Sequence, residues 1–146
     1  MSTTVDNLKN GLKNGFATSA SLIKTIVPFY IAVDYLNALH VTDVAGSFLS
    51  PLMGLFGLSG KMAIALISGY LVNLYAAIAV LVVLHPTWQQ VTIVGLMSGI
   101  AHNLVVEGAI LARLGANPIF VTLLRIAVSL VAGFVMHQMF VVIYGG

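Results

Sequence analysis

The feature that most constrains this chain is a series of long apolar blocks in which single polar residues recur at helical spacing. Blocks of about 20 residues match a hydrocarbon core of roughly 30 Å. Inside hydrocarbon, every backbone N–H and C=O has to be paired within the protein, which restricts spanning structure to helices or closed barrels. Such a core needs about 20 residues per helix, so the length counts helices and the sequence predicts an all-α membrane protein. Of its 146 residues 60% are hydrophobic and 7% charged, against about 25% charged in soluble domains. A soluble fold is excluded on that ground. The absence of cysteine removes disulfides, thiolate metal sites and cysteine nucleophiles. A net charge of +2 gives no reason to invoke nucleic acid.

Residues 1–19 form an N-terminal amphipathic segment, and residues 20–146 a single transmembrane domain. The segment lacks the continuous apolar run and small-residue cleavage site of a signal peptide. Leu8-Lys9-Asn10-Gly11 is repeated as Leu12-Lys13-Asn14-Gly15, which puts Val5, Leu8, Leu12 and Phe16 near one helical face with lysines beside it. This pattern suits a helix lying on anionic lipid. About four transmembrane helices follow, at 20–39, 62–84, 91–112 and 119–143. Pro28 is expected to kink the first. Residues 41–60 are apolar but interrupted by Gly46, Pro51, Gly54 and Gly57, so they read as a broken segment, re-entrant or interfacial. Trp88 stands where an interfacial aromatic anchor belongs. Asn117-Pro118 reads as a helix start, with Asn as N-cap and Pro at the first helical position. With 41–60 not crossing, Lys9, Lys13 and Lys24 fall on one side and Lys61 and Arg113 on the other, a weak positive-inside bias.

The polar residues within the spans fall into stripes. Gly95, Gly99, Asn103 and Glu107 advance by four, and Ser98 and His102 run beside them. Arg125, Ser129, Gly133 and His137 repeat the arrangement on the last span. With Gly115 as the turn, Glu107 lies roughly 12 Å down one helix and Arg125 roughly 15 Å down the next. An ion pair at matching depth is therefore expected, since either charge alone in lipid costs about 3 kcal/mol or more. Whether that pair only locks two helices or also handles a solute or ion stays open. His102 and His137 lie roughly 20 Å and 33 Å from the turn, too far apart in depth to share one iron. With no metal-ligand spacing either, no metal or cofactor is expected. Asn73, flanked by Gly69, Ala76 and Ala77, offers a donor and an acceptor near the membrane centre. It serves either as interhelical glue or, with Asn103 and Glu107, in a midplane site for a polar solute or ion.

Gly57-Leu58-Ser59 leading into Ala63–Ala79, with Gly69 and Asn73, and then His102-Asn103-Leu104-Val105-Val106-Glu107, resemble the nucleoside recognition or "gate" domain. That family includes the spore maturation proteins A and B and the membrane gates of the bacterial ferrous iron transporter. Concentrative nucleoside transporters are distant relations. The resemblance covers residues from about Thr18 to Phe140. It implies helices plus a broken, hairpin-like segment forming one half of a transporter built from two copies. It also implies that Asn73, His102, Asn103 and Glu107 face a cavity, and that a second gate-domain copy, identical or different, completes the assembly. Gate domains serve systems with unrelated cargo, so the resemblance names no ligand.

The function expected is a half-transporter in the cell inner (cytoplasmic) membrane, multi-pass, that oligomerises in the lipid bilayer to move a small polar solute or ion. The alternative is an assembly subunit of a larger membrane complex that binds no cargo. Catalysis, with His102 as base and Glu107 orienting it, is disfavoured. On one continuous helix the two stand roughly 140° apart, and no serine or cysteine nucleophile accompanies them.

Overall fold

The computed structural model describes residues 4–145, and every regular element among them is an α-helix. The amphipathic N-terminal residues and the first apolar span form one helix, α1 (Thr4–Ala38), with Pro28 inside it. Thirty-five residues at 1.5 Å each make α1 about 52 Å long. It therefore exceeds a 30 Å core by about 20 Å.

His40, in the left-handed conformation at φ 57°, turns the chain into α2 (Val41–Gly54). With 14 residues, α2 measures about 21 Å, short of a bilayer crossing. A polar corner holds it in place. Asn37 Oδ1 accepts from Thr42 Oγ1 at 2.6 Å and from Lys61 Nζ at 3.5 Å, while the Asp43 carboxylate pairs with Lys61 and with His40 Nδ1. Lys61 and His40, both hydrogen-bonded to Asp43, hold its carboxyl below the usual carboxylate range. The loop after α2 returns to the helix so closely that a Cβ on Gly60 would stand 1.8 Å from the Gly46 carbonyl oxygen. Residues 41–61 thus cap one end of the bundle.

The sequence reads 62–84 as a crossing span, and the structure corrects this. The segment is two helices, α3 (Met62–Leu71) and α4 (Leu74–Leu84), joined at Val72-Asn73. A Cβ on Gly69 would lie 3.2 Å from that of Ala77, whereas eight residues along one helix separate atoms by about 12 Å. Both outer ends also lie at the cap: Lys61 joins the polar corner, and Gln90, just past α4, reaches the Gly57 carbonyl with Nε2 at 3.4 Å. The chain therefore enters, turns at Asn73 and doubles back. Residues 41–60 form the short, non-crossing segment expected of them, and this helical hairpin is a second broken element that the sequence reading took for a span. Apolar periodicity misses the turn because both arms are lined with buried alanine and aliphatic residues.

The next span is also interrupted, into α5 (Trp88–Ala101) and α6 (Leu104–Arg113), with Asn103 left-handed at φ 53°. A capping box at Thr87 and Gln90 starts α5. Asn117 Oδ1 accepts from Phe120 N at 3.1 Å and Pro118 opens α7 (Pro118–Tyr144), as read from the sequence. Trp88 meets Phe140 and Tyr144 edge-on at 5.2 and 5.4 Å between ring centroids. The C-terminal end of α7 is therefore at the cap. Helix α5 packs along α7, and α1 along α4. Between them Val33, Phe56, Met62, Leu66, Val80, Ile93, Val94 and Met97 form the core. Among the described residues, three stretches are long and apolar enough to cross a membrane: α1 (Thr4–Ala38), α5 with α6 (Trp88–Arg113) and α7 (Pro118–Tyr144).

Candidate functional site

Every helix end leaves backbone donors or acceptors without helical partners, and in a bundle interior those groups must find others. Here two such interruptions meet. The Asn103 N–H donates to the Gly69 carbonyl at 3.3 Å, joining the α5–α6 break to the last turn of α3. The Ser98 hydroxyl lies against Gly69, where a glycine Cβ would come within 2.9 Å of its oxygen. Ser98 is fully buried, and its oxygen has no hydrogen-bond partner among the described residues.

Arg125, on α7, supplies what the α5 terminus lacks. Its Nε donates to the Ile100 carbonyl at 2.9 Å and its Nη2 to the His102 carbonyl at 3.3 Å. Its Nη1 pairs with Glu107, which stands in the first turn of α6. The cation thus caps the negative end of one half-helix and the carboxylate stands at the positive start of the next, the favourable arrangement for both dipoles. His102 Nε2 is 3.5 Å from Glu107 Oε1, and its Nδ1 is 3.1 Å from the Gly99 carbonyl oxygen.

This geometry overturns two sequence readings that assumed an unbroken helix. Gly95, Gly99, Asn103 and Glu107 do not form one straight stripe, because the axis is interrupted after Ala101. Nor do His102 and Glu107 stand 140° apart, since the left-handed residue between them swings the carboxylate beside the imidazole. The cluster is open on one side: His102 and Glu107 side chains are 37% exposed and Arg125 20%. A shallow cleft of about 310 Å³ there is lined by Glu107, Ile110, Leu111, Val121 and Arg125.

Asn73 occupies the other break. Its side chain accepts from Ala76 N at 2.9 Å and N-caps α4, so its carbonyl serves its own helix while the amide group keeps its donors. Of the residues singled out from sequence, the structure brings His102, Glu107 and Arg125 into one cluster and binds Asn103 to the hairpin through its backbone. His137 lies apart, against Gly57 at the cap, where a Cβ on that glycine would stand 2.3 Å from the ring.

Sequence reasoning missed Tyr70, whose hydroxyl is bonded to Ser129. Ser129 Oγ in turn donates to the Met97 carbonyl at 2.9 Å. This chain ties the hairpin to α5 and α7. Ser129 belongs to the four-residue series from Arg125, but Tyr70 carries no signal until the hairpin places it opposite. Among the described residues no cluster of three or more histidine, aspartate or glutamate side chains could hold a metal ion.

The chain is 36% identical over 127 residues to the uncharacterized membrane protein YvoD of Bacillus subtilis (strain 168). That alignment takes in 87% of this chain and 41% of the relative, so the chain spans less than half of the protein it matches. No solved structure matches significantly. Residues 19–145 match the family described as nucleoside recognition, or Gate, from the first membrane helix to the end of α7. With both helix interruptions inside the matched region, the chain belongs to the nucleoside recognition (Gate) family of membrane proteins.

Proposed function

We propose that this chain is a non-enzymatic transport or gating module of the cell inner membrane, which pairs with a second gate-domain copy to move a small polar solute or ion. The observation that carries this reading is the meeting of two helix interruptions at Gly69 and Asn103, beside Arg125, Glu107 and His102. Irregular backbone at membrane depth is tolerated where it is buried in protein or lines a cavity, and half-helix ends there are suited to polar cargo. Asn73, His102, Asn103 and Glu107 are the binding residues in this reading. Arg125 balances Glu107 and opens or closes access as that pair breaks and forms.

On this reading the chain crosses three times, so the N-terminus and the cap lie on opposite sides of the membrane. Lys9, Lys13 and Arg113 then fall at the end away from the cap and Lys61 at the cap, three against one, with Lys24 and Arg125 inside the spans. The bias puts the N-terminus in the cytoplasm.

A ligand that binds the native state raises its stability. Purified protein is therefore to be heated with a panel of nucleosides, amines, carboxylates and divalent cations. A saturable rise in Tm, lost in Asn103→Ala and Glu107→Ala, is the expected result. A flat response across the panel, with a different membrane subunit copurifying, would establish the second reading, a cargo-free assembly subunit. That reading draws on the closed Glu107–Arg125 pair, which locks α6 to α7 without any ligand.

A further inference from the structure

Among the described residues nothing packs on one face of the N-terminal half of α1, which pairs a ridge of large side chains with a row of shorter ones. Leu8, Leu12 and Phe16 form a ridge with a four-residue period, and Asn7, Gly11, Gly15 and Ser19 form a parallel row of small residues one position behind it. The ridge is 58–78% exposed, and a Cβ added at Gly11 or Gly15 would meet nothing within 4 Å. Together the two rows bound a shallow, open depression of about 460 Å³ along the helix. We propose that a second copy of this chain, in the same orientation, docks here by crossing its own α1 against this face.

Three observations select that occupant. A ridge and a groove with equal spacing on one face are what a two-fold interface needs, because each copy offers to the other what it receives. Rows with a four-residue period interdigitate at crossing angles of about −40 to −50°, and small residues allow the backbones to approach. Glycines turned to lipid or water would give no such return and would cost about 1 kcal/mol each in helix propensity.

The charges also fit. At about 100° per residue, Lys9 and Lys13 stand roughly 110° and 140° round from the centre of the two rows, so parallel copies keep their lysines off the seam. Finally, the seam lies within about 40° of the face on which Phe29 and Val33 meet the core. It is bare because the α3–α4 hairpin turns back at Asn73, which leaves Leu8, Gly11, Leu12, Gly15 and Phe16 with no element packed on them among the described residues.

This interface deepens the paired-module reading and is tested separately from ligand binding. The natural sequence contains no cysteine, so Leu12→Cys and Lys13→Cys place single thiols at adjacent positions, one on the seam and one off it. Oxidation in native membranes is expected to give a disulfide-linked species of twice the chain mass, several-fold more from Leu12→Cys than from Lys13→Cys. Adding Gly11→Leu and Gly15→Leu to Leu12→Cys fills the groove and is expected to abolish the product with the thermal transition retained. Equal yields from the two positions, a product of another mass, or persistence after filling would overturn the proposal. If Leu12→Cys gives no product while the native mass is that of a dimer, the seam is wrong and pairing stands. A monomeric native mass removes both.

Discussion

At the residue scale the central arrangement is Arg125, which serves two carbonyls of one half-helix and the carboxylate that opens the next. Its two roles make a testable distinction. Glu107→Ala leaves the guanidinium on the Ile100 and His102 carbonyls, whereas Arg125→Ala removes the cap and strands the carboxylate. The Arg125 variant is therefore expected to be the less stable of the two. Groups in direct contact couple by about 0.5–3 kcal/mol, and a double-mutant cycle read by thermal or denaturant unfolding in detergent should return a value in that range. A coupling of zero would reduce the pair to a crossing of side chains without energetic meaning. The pairing itself was legible, because matched distances from Gly115 set the two charges at one depth. What was hidden is why the pair has its shape. A left-handed Asn103 is allowed by its short polar side chain, but the sequence around it, Ala101 to Val106, carries no proline or glycine to announce a break.

At the level of elements, the polar corner where α1, α2 and α3 meet is tied through Asp43, which Lys61 and His40 both hold ionised. A carboxyl whose folded pKa is depressed contributes stability that is present above its unfolded value and lost as pH falls through the folded one. Acidification below the ordinary aspartate range should therefore loosen the cap. Hydrogen exchange of residues 41–61 is the measurement. Protection factors in the natural chain, taken relative to the intrinsic exchange rate at each pH, should fall in acid toward those of Asp43→Asn, and the variant's own protection should depend less on pH. The corner was not read from sequence because its members come from three elements and converge only after the chain has turned twice. The hairpin was missed for a related reason. Gly69 and Asn73 were recognised as unusual within an apolar run, yet composition alone cannot say whether a run goes through or comes back. The deciding observation is the Gly69 approach to Ala77.

For the whole molecule, length and composition gave the class of fold, since blocks of this hydropathy have few alternatives. Topology was less accessible, because a single segment changes side when 62–84 doubles back. The corrected arrangement predicts that a thiol introduced at Lys9 reacts with membrane-impermeant reagent only from the cytoplasmic side, and one at Tyr144 only from the opposite side. Labelling of both from the same face would restore a four-crossing chain and remove the hairpin.

With the three crossings proposed above, the hairpin that stops short also sets a parity. A chain with an odd number of crossings ends on the side opposite its start, so two such chains joined head to tail without an additional crossing must face opposite ways. Duplication and fusion would therefore convert this single fold into mirror-placed halves, each hairpin entering from its own side. The 41% coverage of the Bacillus subtilis relative leaves length for a second unit of this size. Separate chains sharing one charge bias do not have that arrangement imposed on them. For proteins of this architecture, joining two copies thus changes the geometry of the pair as well as its stoichiometry.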